Sequence, residues 1–209
     1  MLVRDWMTAD PQTVTAATPV MEAMQRLRDG GYRRLPVVRD GKLVGIVTDR
    51  DLKEATPSKA TSLSVYELNY LLSKLTIKDV MTAPVMTIGS EDAIEEAALV
   101  METHRVSGLP VVDRGKLVGI LTITDLLRAF VRFLGLREGG TRVTVDLPDE
   151  PGVLARAAEA APPSNVVAVV TAGVIEGHRR RLVLRVAGED AEGFPDRLKT
   201  KGIEVRDVR

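Results

Sequence analysis

Two segments of the sequence place a threonine and an aspartate three residues apart. They are Thr48 and Asp51 in "GIVTDRDL", and Thr122 and Asp125 in "GILTITDL". This spacing suits a capping box, in which the hydroxyl and the carboxylate satisfy free amides at a helix start. It also suits a nucleotide site, because free helix amides bind phosphate and a carboxylate accepts hydrogen bonds from ribose hydroxyls. The residues alone leave both interpretations open.

The composition argues against catalysis. The 209-residue chain has no cysteine, and its two histidines, His104 and His178, are far apart in the sequence. Zinc sites and the usual nucleophile–base pairs therefore have almost no candidates, and the sequence contains no Walker or dinucleotide glycine-rich loop. We predict a protein that is not an enzyme and that holds no metal or catalytic cofactor.

Charge and hydropathy restrict the possible partners. The chain carries 29 basic and 29 acidic residues, so it lacks the basic excess that is typical of nucleic-acid-binding proteins. No apolar run approaches the roughly 20 residues that span a bilayer, and the N-terminus lacks the apolar core of a signal peptide. We therefore predict a cytoplasmic protein that binds neither nucleic acid nor membrane.

An internal repeat determines the predicted architecture. Residues 4–52 align with residues 78–126 without a gap, with 20 identities in 49 positions. Each copy predicts the order β-α-β-β-α, in which a hairpin turns at a glycine and the second helix begins at the Thr and Asp. Such a unit is too small to bury both faces of its sheet, so we expect the two copies to pack as a pair.

Local signals place the other elements of each copy. The first strands are predicted at Thr13 and Val14 and at Thr87 and Ile88. The first helices are predicted to open at Thr18, with Pro19 as the first helical residue, and at Ser90. Apolar residues recur at helical spacing in both helices. These residues are Val20, Ala23, Met24 and Leu27 in the first copy, and Ile94, Ala97, Ala98 and Met101 in the second.

The rest of the chain predicts a connecting helix and a further domain. A loop, "PSKATS", precedes the amphipathic segment "LSVYELNYLLSKL". After "REGG" the pattern becomes βαββαβ, the order of a ferredoxin-like domain, so the fold class is α/β (α+β). The predicted boundaries are 1–60 for repeat 1, 61–76 for the connecting helix, 77–135 for repeat 2, 136–140 for a linker and 141–209 for the last domain.

These motifs resemble a known family. "GIVTDRDL" and "GILTITDL", each preceded by "LPVV" and an "MT" turn, resemble the CBS domain repeat, and two tandem copies resemble the CBS pair or Bateman module. The tail, with "DEPGVL" on a βαββαβ order, resembles an ACT domain. The whole order is similar to that of bacterial acetoin-utilisation CBS–ACT regulatory proteins. The resemblance implies a sensor that binds AMP, ADP, ATP or S-adenosylmethionine between the repeats and an amino acid at the ACT domain.

The resemblance also implies which residues line the nucleotide clefts. The first strands and the turns before each hairpin should flank the base, although their leucines could equally be simple core residues. The arginines of the first copy could neutralise phosphates, or they could form a solvated face. The implied residues, beyond the two Thr–Asp pairs, are Thr13, Val14, Arg34, Leu35, Pro36, Arg50, Thr87, Ile88, Gly108, Leu109 and Pro110.

For the ACT-like domain, the resemblance places an effector against Asp149, Gly152 and Leu154. From the residues themselves, Asp149 is also a plain helix N-cap before Pro151. The leading hypothesis is a non-catalytic, homodimeric regulator that responds to an adenine nucleotide and acts on an unidentified protein target. The alternative is a dimerising interaction scaffold that responds to no ligand.

Overall fold

The protein is described here by a computed structural model that covers residues 1–56, 64–175 and 177–209. It has the predicted mixed α/β fold and divides into two compact units, Met1–Leu126 and Leu127–Arg209. The predicted loop at 57–62, the apolar Leu63 and the boundary between residues 60 and 61 lie outside the described residues. Two short 3₁₀ helices, Val3–Asp5 and Ala191–Gly193, accompany the regular elements.

The regular elements follow the repeat. The helices are α1 (Val20–Gly30), α2 (Asp49–Glu54), α3 (Val65–Lys74), α4 (Ile77–Val80), α5 (Ile94–Thr103), α6 (Ile123–Phe133), α7 (Val153–Ala158) and α8 (Phe194–Thr200). The strands are β1 (Thr8–Ala9), β2 (Arg34–Arg39), β3 (Lys42–Thr48), β4 (Gly108–Asp113), β5 (Lys116–Thr122), β6 (Thr141–Pro148), β7 (Asn165–Ile175), β8 (Arg179–Ala187) and β9 (Glu204–Val208).

The two hairpins confirm the predicted glycine turns. β2 pairs with β3 and β4 pairs with β5, both antiparallel and in equivalent registers. Each turn has two residues with positive φ, Asp40 and Gly41 in the first and Arg114 and Gly115 in the second. Such a turn matches the twist of the strands that flank it. The predicted first strands are reduced to single parallel bridges, Val14 to Val37 and Ile88 to Val111.

The beginnings of the two repeats are exchanged, which the sequence did not predict. β1, from the start of repeat 1, pairs with β5 of repeat 2, with Thr8 opposite Ile120. In the reverse direction, Thr82 of repeat 2 bridges to Ile46 on β3 of repeat 1. The cores are exchanged in the same way: the fully buried Val3 belongs to the core of repeat 2, and Ile77 belongs to that of repeat 1. Each repeat therefore depends on the other for a complete core.

The first helices bury the predicted apolar face but begin later than predicted. Val20, Ala23 and Leu27 are buried in α1, and Ile94, Ala97 and Met101 are buried in α5. Pro19 and Ala93 are the N-cap residues, so the predicted starts at Thr18–Pro19 and at Ser90 are wrong.

The reason is that these polar side chains form hydrogen bonds to groups other than the helix ends. Thr18 Oγ1 accepts a hydrogen bond from the amide of Thr15 at 3.0 Å. Ser90 Oγ donates to Asp113 Oδ2 at 2.5 Å.

The second unit contains the predicted ferredoxin-like domain. Its four antiparallel strands have the order β7-β8-β6-β9, and its core lies on one sheet face under α7 and α8. The predicted N-cap at Asp149 is wrong, because α7 begins after Gly152, whose φ of 84° is in the left-handed region that favours glycine. Asp149 instead accepts a hydrogen bond from Arg180 Nε at 2.6 Å.

Candidate ligand cleft of the repeat pair

The Thr–Asp pairs form the predicted caps. The amide and hydroxyl of Thr48 both donate to Asp51 Oδ2, at 2.8 and 2.7 Å, and the amide of Asp51 donates back to Thr48 Oγ1 at 3.3 Å. The amide and hydroxyl of Thr122 donate to Asp125 Oδ2 at 2.9 and 2.6 Å. The capping interpretation is therefore confirmed. The cap of Asp51 uses one carboxylate oxygen, and no hydrogen bond to Oδ1 is found among the residues that the structure describes.

The helix starts offer fewer amides than the nucleotide interpretation assumed. The amide of Asp49, the first residue of α2, donates to the carbonyl of Arg33 at 3.0 Å. The amide of Ile123, at the start of α6, donates to the carbonyl of Ser107 at 3.2 Å. These contacts join each helix start to the residue that precedes the first strand of its hairpin. A phosphate at these positions would have to rely on side chains more than on backbone donors.

Capping boxes of the same kind also occur where no ligand is expected. The amide and hydroxyl of Thr76 donate to Asp79 Oδ2 at 2.9 and 2.8 Å, and these hydrogen bonds hold the pKa of Asp79 below its usual value. The spacing alone therefore does not identify a ligand site. Burial separates the pairs, since Asp125 is 4% exposed whereas the Thr76–Asp79 box lies at the surface.

A cleft of about 380 Å³ lies between the two repeats. Repeat 1 contributes Leu43 and Val44 from β3, and repeat 2 contributes Thr87 together with Val85 before it. The cleft thus places Thr87 of repeat 2 beside β3, the strand of repeat 1 that leads to Thr48. The remaining lining residues are Pro84, Val112 and Gly115.

The glycines before the Thr–Asp pairs have a packing role that the sequence analysis missed. Gly45 and Gly119 lack a Cβ, which by itself would let a ligand approach the backbone. A Cβ on Gly45 would lie 2.5 Å from Met81 Sδ, and a Cβ on Gly119 would lie 2.4 Å from Met7 Sδ. The space is thus occupied by the exchanged segments. Their identical methionines in "RDWMTA" and "KDVMTA" were the available signal for this contact.

Most of the predicted wall residues are core residues. Leu35 and Leu109 have no exposed surface, and Val14 and Ile88 are buried in the cores of repeats 1 and 2. Pro36, Gly108 and Pro110 are buried as well, whereas Thr13 is half-buried and Thr87 is exposed.

The predicted arginines differ in their partners. Arg50 is exposed and forms an ion pair with Glu54 at 2.7 Å, one helical turn further along α2. Arg34 instead reaches out of its own repeat, and its Nη2 donates to Ser107 Oγ at 2.6 Å.

In the ACT-like domain the predicted effector residues lie around the start of α7. Asp149 is engaged by Arg180, Gly152 is the N-cap, and Leu154 is exposed. They do not line the cavity of about 760 Å³ in this unit. That cavity is lined by Gly140, Thr141, Gly188, Asp190, Ala191, Glu192, Val208 and Arg209.

Two further properties concern membranes and metals. Within the described ranges, no helix combines the length and the apolar character that crossing a membrane requires. In the same ranges, no three His, Asp or Glu side chains are grouped so that they could hold a metal ion.

Together, two interlocked β-α-β-β-α repeats with a cleft between them and a ferredoxin-like domain define a tandem CBS pair with an ACT-like domain. The CBS domain model matches residues 3–58 and 77–132. The model of the TTHA0829-like ACT domain matches residues 139–209. The chain belongs to the CBS domain family and carries an ACT-like domain after its CBS pair.

Solved structures extend the comparison. The chain is 29% identical to a putative acetoin utilization protein, AcuB, from Vibrio cholerae, with 66% of this chain and 96% of that one covered and a TM-score of 0.55. It is 33% identical to the CBS domain pair of protein MJ0100 in complex with 5′-methylthioadenosine and S-adenosyl-L-methionine (62% and 95% covered, TM-score 0.52). It is also 33% identical to CBSX2 in complex with AMP (62% and 96% covered, TM-score 0.53).

Some relatives are much longer than the region they share with this chain. The chain is 33% identical to an L-aspartate semialdehyde sulfurtransferase of Methanocaldococcus jannaschii but covers 23% of its length. The shared region in that protein corresponds to 62% of this chain. CBS-type regions therefore occur both in short proteins and as parts of enzymes.

Proposed function

We propose that the protein is a non-catalytic regulator whose CBS pair binds an adenosine-containing ligand, such as AMP, ADP, ATP or S-adenosylmethionine. The observation that carries the proposal is the cleft between the repeats, which is lined by Leu43 and Val44 of β3, the strand that ends at Thr48 and leads into the helix of Asp51. Leu43, Val44 and Val85 supply apolar walls that suit the face of an adenine ring.

The distance from the cleft to the helix start suits a nucleotide. Val44 and Thr48 are four residues apart on β3, a span of about 13 Å at the rise of a strand. Asp51 Oδ1 remains available to accept hydrogen bonds from ribose hydroxyls while Oδ2 caps the helix. The cap therefore holds the carboxylate in place for the ligand. The complexes of the MJ0100 CBS pair and of CBSX2 with adenosine compounds support this ligand class.

We further propose that the protein acts as a cytoplasmic homodimer that transmits ligand binding to a protein partner. α6 supports self-association, because Leu127 and Phe130 expose apolar surface. The equivalent of Leu127 in repeat 1 is Lys53, which forms an ion pair with Asp49 in solvent. Light scattering tests the dimer. A ligand can shift the equilibrium between two states of the protein only by the difference between its binding free energies for those states.

Calorimetric titration of the purified, ligand-free chain tests the proposal. AMP, ADP, ATP, S-adenosylmethionine and 5′-methylthioadenosine are titrated separately, and we expect at least one to bind and to be recovered unchanged. Asp51→Ala should weaken that binding. Asp79→Ala is the matched control, because it removes the same kind of cap at an exposed helix start. Absence of binding by all five compounds at millimolar concentration would favour the scaffold alternative.

A further inference from the structure

The residues that line the cleft between the repeats have counterparts in the other repeat, because the two copies are related by a shift of 74 residues. Leu43, Val44, Pro84 and Gly115 of the cleft correspond to Leu117, Val118, Asp10 and Gly41. A symmetric pair would offer two equal sites at these positions. Two backbone hydrogen bonds make the two sides unequal.

The first difference is at Pro84. On the counterpart side, the amide of Asp10 donates to the carbonyl of Val118 at 3.3 Å and continues the pairing of β1 with β5. Proline has no amide hydrogen, so Pro84 cannot make the equivalent bond to Val44. On that side the pairing consists of the single bridge of Thr82. The outer edge of β3 is therefore left open beside Pro84.

The second difference is at the hairpin turns. The amide of Leu117 donates to the carbonyl of Gly41 at 3.5 Å, which joins β5 to the turn of the first hairpin. No such bond joins Leu43 to Gly115 in the described part of the chain. The edge of β5 is thus held at both places, whereas the equivalent edge of β3 forms a wall of the cavity of about 380 Å³.

The carboxylates of the two Thr–Asp pairs differ in the same sense. Asp51, in the helix that follows β3, is partly exposed. Asp125, in the helix that follows β5, is 4% exposed. A ribose hydroxyl can donate only to a carboxylate oxygen that it can reach. The accessible carboxylate therefore follows the strand that lines the open cleft.

We propose that each chain binds one adenosine ligand, in the cleft that Pro84 leaves open, and that the counterpart beside Asp10 stays closed by its own hydrogen bonds. The inference rests on the proposed function and adds the number and the position of its sites. Pro84 acts through the amide hydrogen that it lacks, because the carbonyl of Val44 then receives no donor from this segment. Asp10 supplies that donor to Val118 on the counterpart side.

The test is calorimetric titration of the full chain with AMP, ADP, ATP, S-adenosylmethionine and 5′-methylthioadenosine in turn. We expect one ligand per chain for each compound that binds. Pro84→Asn restores an amide, and asparagine also tolerates a positive φ such as the 46° of Asp10. A ligand would then have to displace an internal hydrogen bond, so its binding should weaken about 10-fold.

Asp10→Asn is the matched control, because it places the same residue at the equivalent position and keeps the amide that donates to Val118. It should change neither the affinity nor the number of ligands bound. An equal loss of affinity in Asp10→Asn and Pro84→Asn would contradict the inference, because the two sides would then contribute equally.

A further variant keeps the test valid if Pro84→Asn does not fold. Thr87 lines the open cleft and is exposed, so Thr87→Phe should leave the core intact while its ring occupies the cleft. We expect its affinity for the ligand to fall at least about 10-fold. Unchanged affinity in Thr87→Phe would place the ligand elsewhere and refute the inference.

The number of ligands separates this inference from the proposed function. Two ligands per chain in the wild type would refute the inequality of the two sides and leave the proposed function intact. Absence of binding by all five compounds would refute both.

Discussion

Arg34 in the first unit and Asp146 in the second are both removed from water to a large degree, but their partners differ. The side chain of Asp146 is 0% exposed. It accepts two hydrogen bonds from Arg181, at 2.7 and 2.9 Å, and one from Arg206 at 2.8 Å. Arg34 has one neutral hydroxyl acceptor and a buried Nε without a partner.

The difference lies in whether the fold itself supplies a counter-charge. A buried carboxylate with two guanidinium partners is satisfied within the fold, so no ligand is needed to explain it. An arginine that lacks a counter-ion is costly for the fold alone, and this cost is explained if an anion binds part of the time. The two residues should therefore respond in opposite ways when their charge is removed.

The largest expected effect is the loss of the Asp146 carboxylate. Asp146→Asn keeps the volume but leaves Arg181 and Arg206 without their anion. We expect the free energy of unfolding to fall by about 3 kcal/mol, somewhat reduced because both arginines are partly exposed. Urea unfolding measures the change.

The control for this variant is Asp207→Asn. Asp207 pairs with Arg142 and Arg209 but is 38% exposed, so its replacement should cost about 1 kcal/mol or less. Similar losses in the two variants would contradict the assignment of Asp146 as the structural charge of the second unit.

The same residue predicts a dependence of stability on pH. The hydrogen bonds from Arg181 and Arg206 lower the pKa of Asp146 from 3.8 to about 2. The folded state therefore favours the ionised carboxylate, and this stabilisation is fully present above about pH 5 and is lost as the pH falls from 4 towards 2. The shift corresponds to about 2 kcal/mol.

The difference in unfolding free energy between the wild type and Asp146→Asn isolates this contribution from that of the other carboxylates. It should shrink by about 1.5 kcal/mol between pH 6 and pH 2.5, because part of the carboxylate in the folded protein is still ionised at pH 2.5. A constant difference over this range would show that the arginines do not act through the charge of Asp146.

The sequence predicted those features that depend on local chemistry. The hairpins followed from alternating apolar residues around a glycine turn, and the Thr48–Asp51 cap followed from a three-residue spacing. The same local reasoning gave the wrong N-cap for the helix after Asp149. The N-cap of α7 is Gly152, in a left-handed conformation, and the carboxylate of Asp149 accepts a hydrogen bond from Arg180 instead.

Contacts between distant parts of the chain could not be read from local patterns. The pairing of Thr8 with Ile120 and the packing of Met81 on Gly45 join segments of different repeats. Neither spacing nor periodicity records which copy a segment packs against. For the same reason the sequence did not show that Thr87 of repeat 2 lines a cleft together with Val44 of repeat 1.

A smaller effect tests whether the Thr–Asp carboxylates are structural, like Asp146, or available, like Arg34. Asp51→Ala and Asp79→Ala each remove the carboxylate of a capping box, and the lost hydrogen bonds should lower the free energy of unfolding by about 1 kcal/mol without ligand. With saturating adenosine ligand, only Asp51→Ala should lose part of the ligand's stabilisation. Equal ligand stabilisation of both variants, measured by thermal unfolding, would assign Asp51 to the cap alone.

The smallest effect has the opposite sign and concerns Arg34 itself. Arg34→Met replaces the unpaired cation by an apolar chain of similar reach, so the ligand-free protein should be unchanged or stabilised by up to about 1 kcal/mol. Arg33→Met, at an exposed position, should stay within about 0.5 kcal/mol of the wild type. Inorganic phosphate should then stabilise the wild type more than Arg34→Met in thermal unfolding, because only the wild type gains a counter-ion. If Arg34→Met instead lost more than about 1 kcal/mol, the contact with Ser107 would be a structural tie between the repeats, and Arg34 would belong with Asp146.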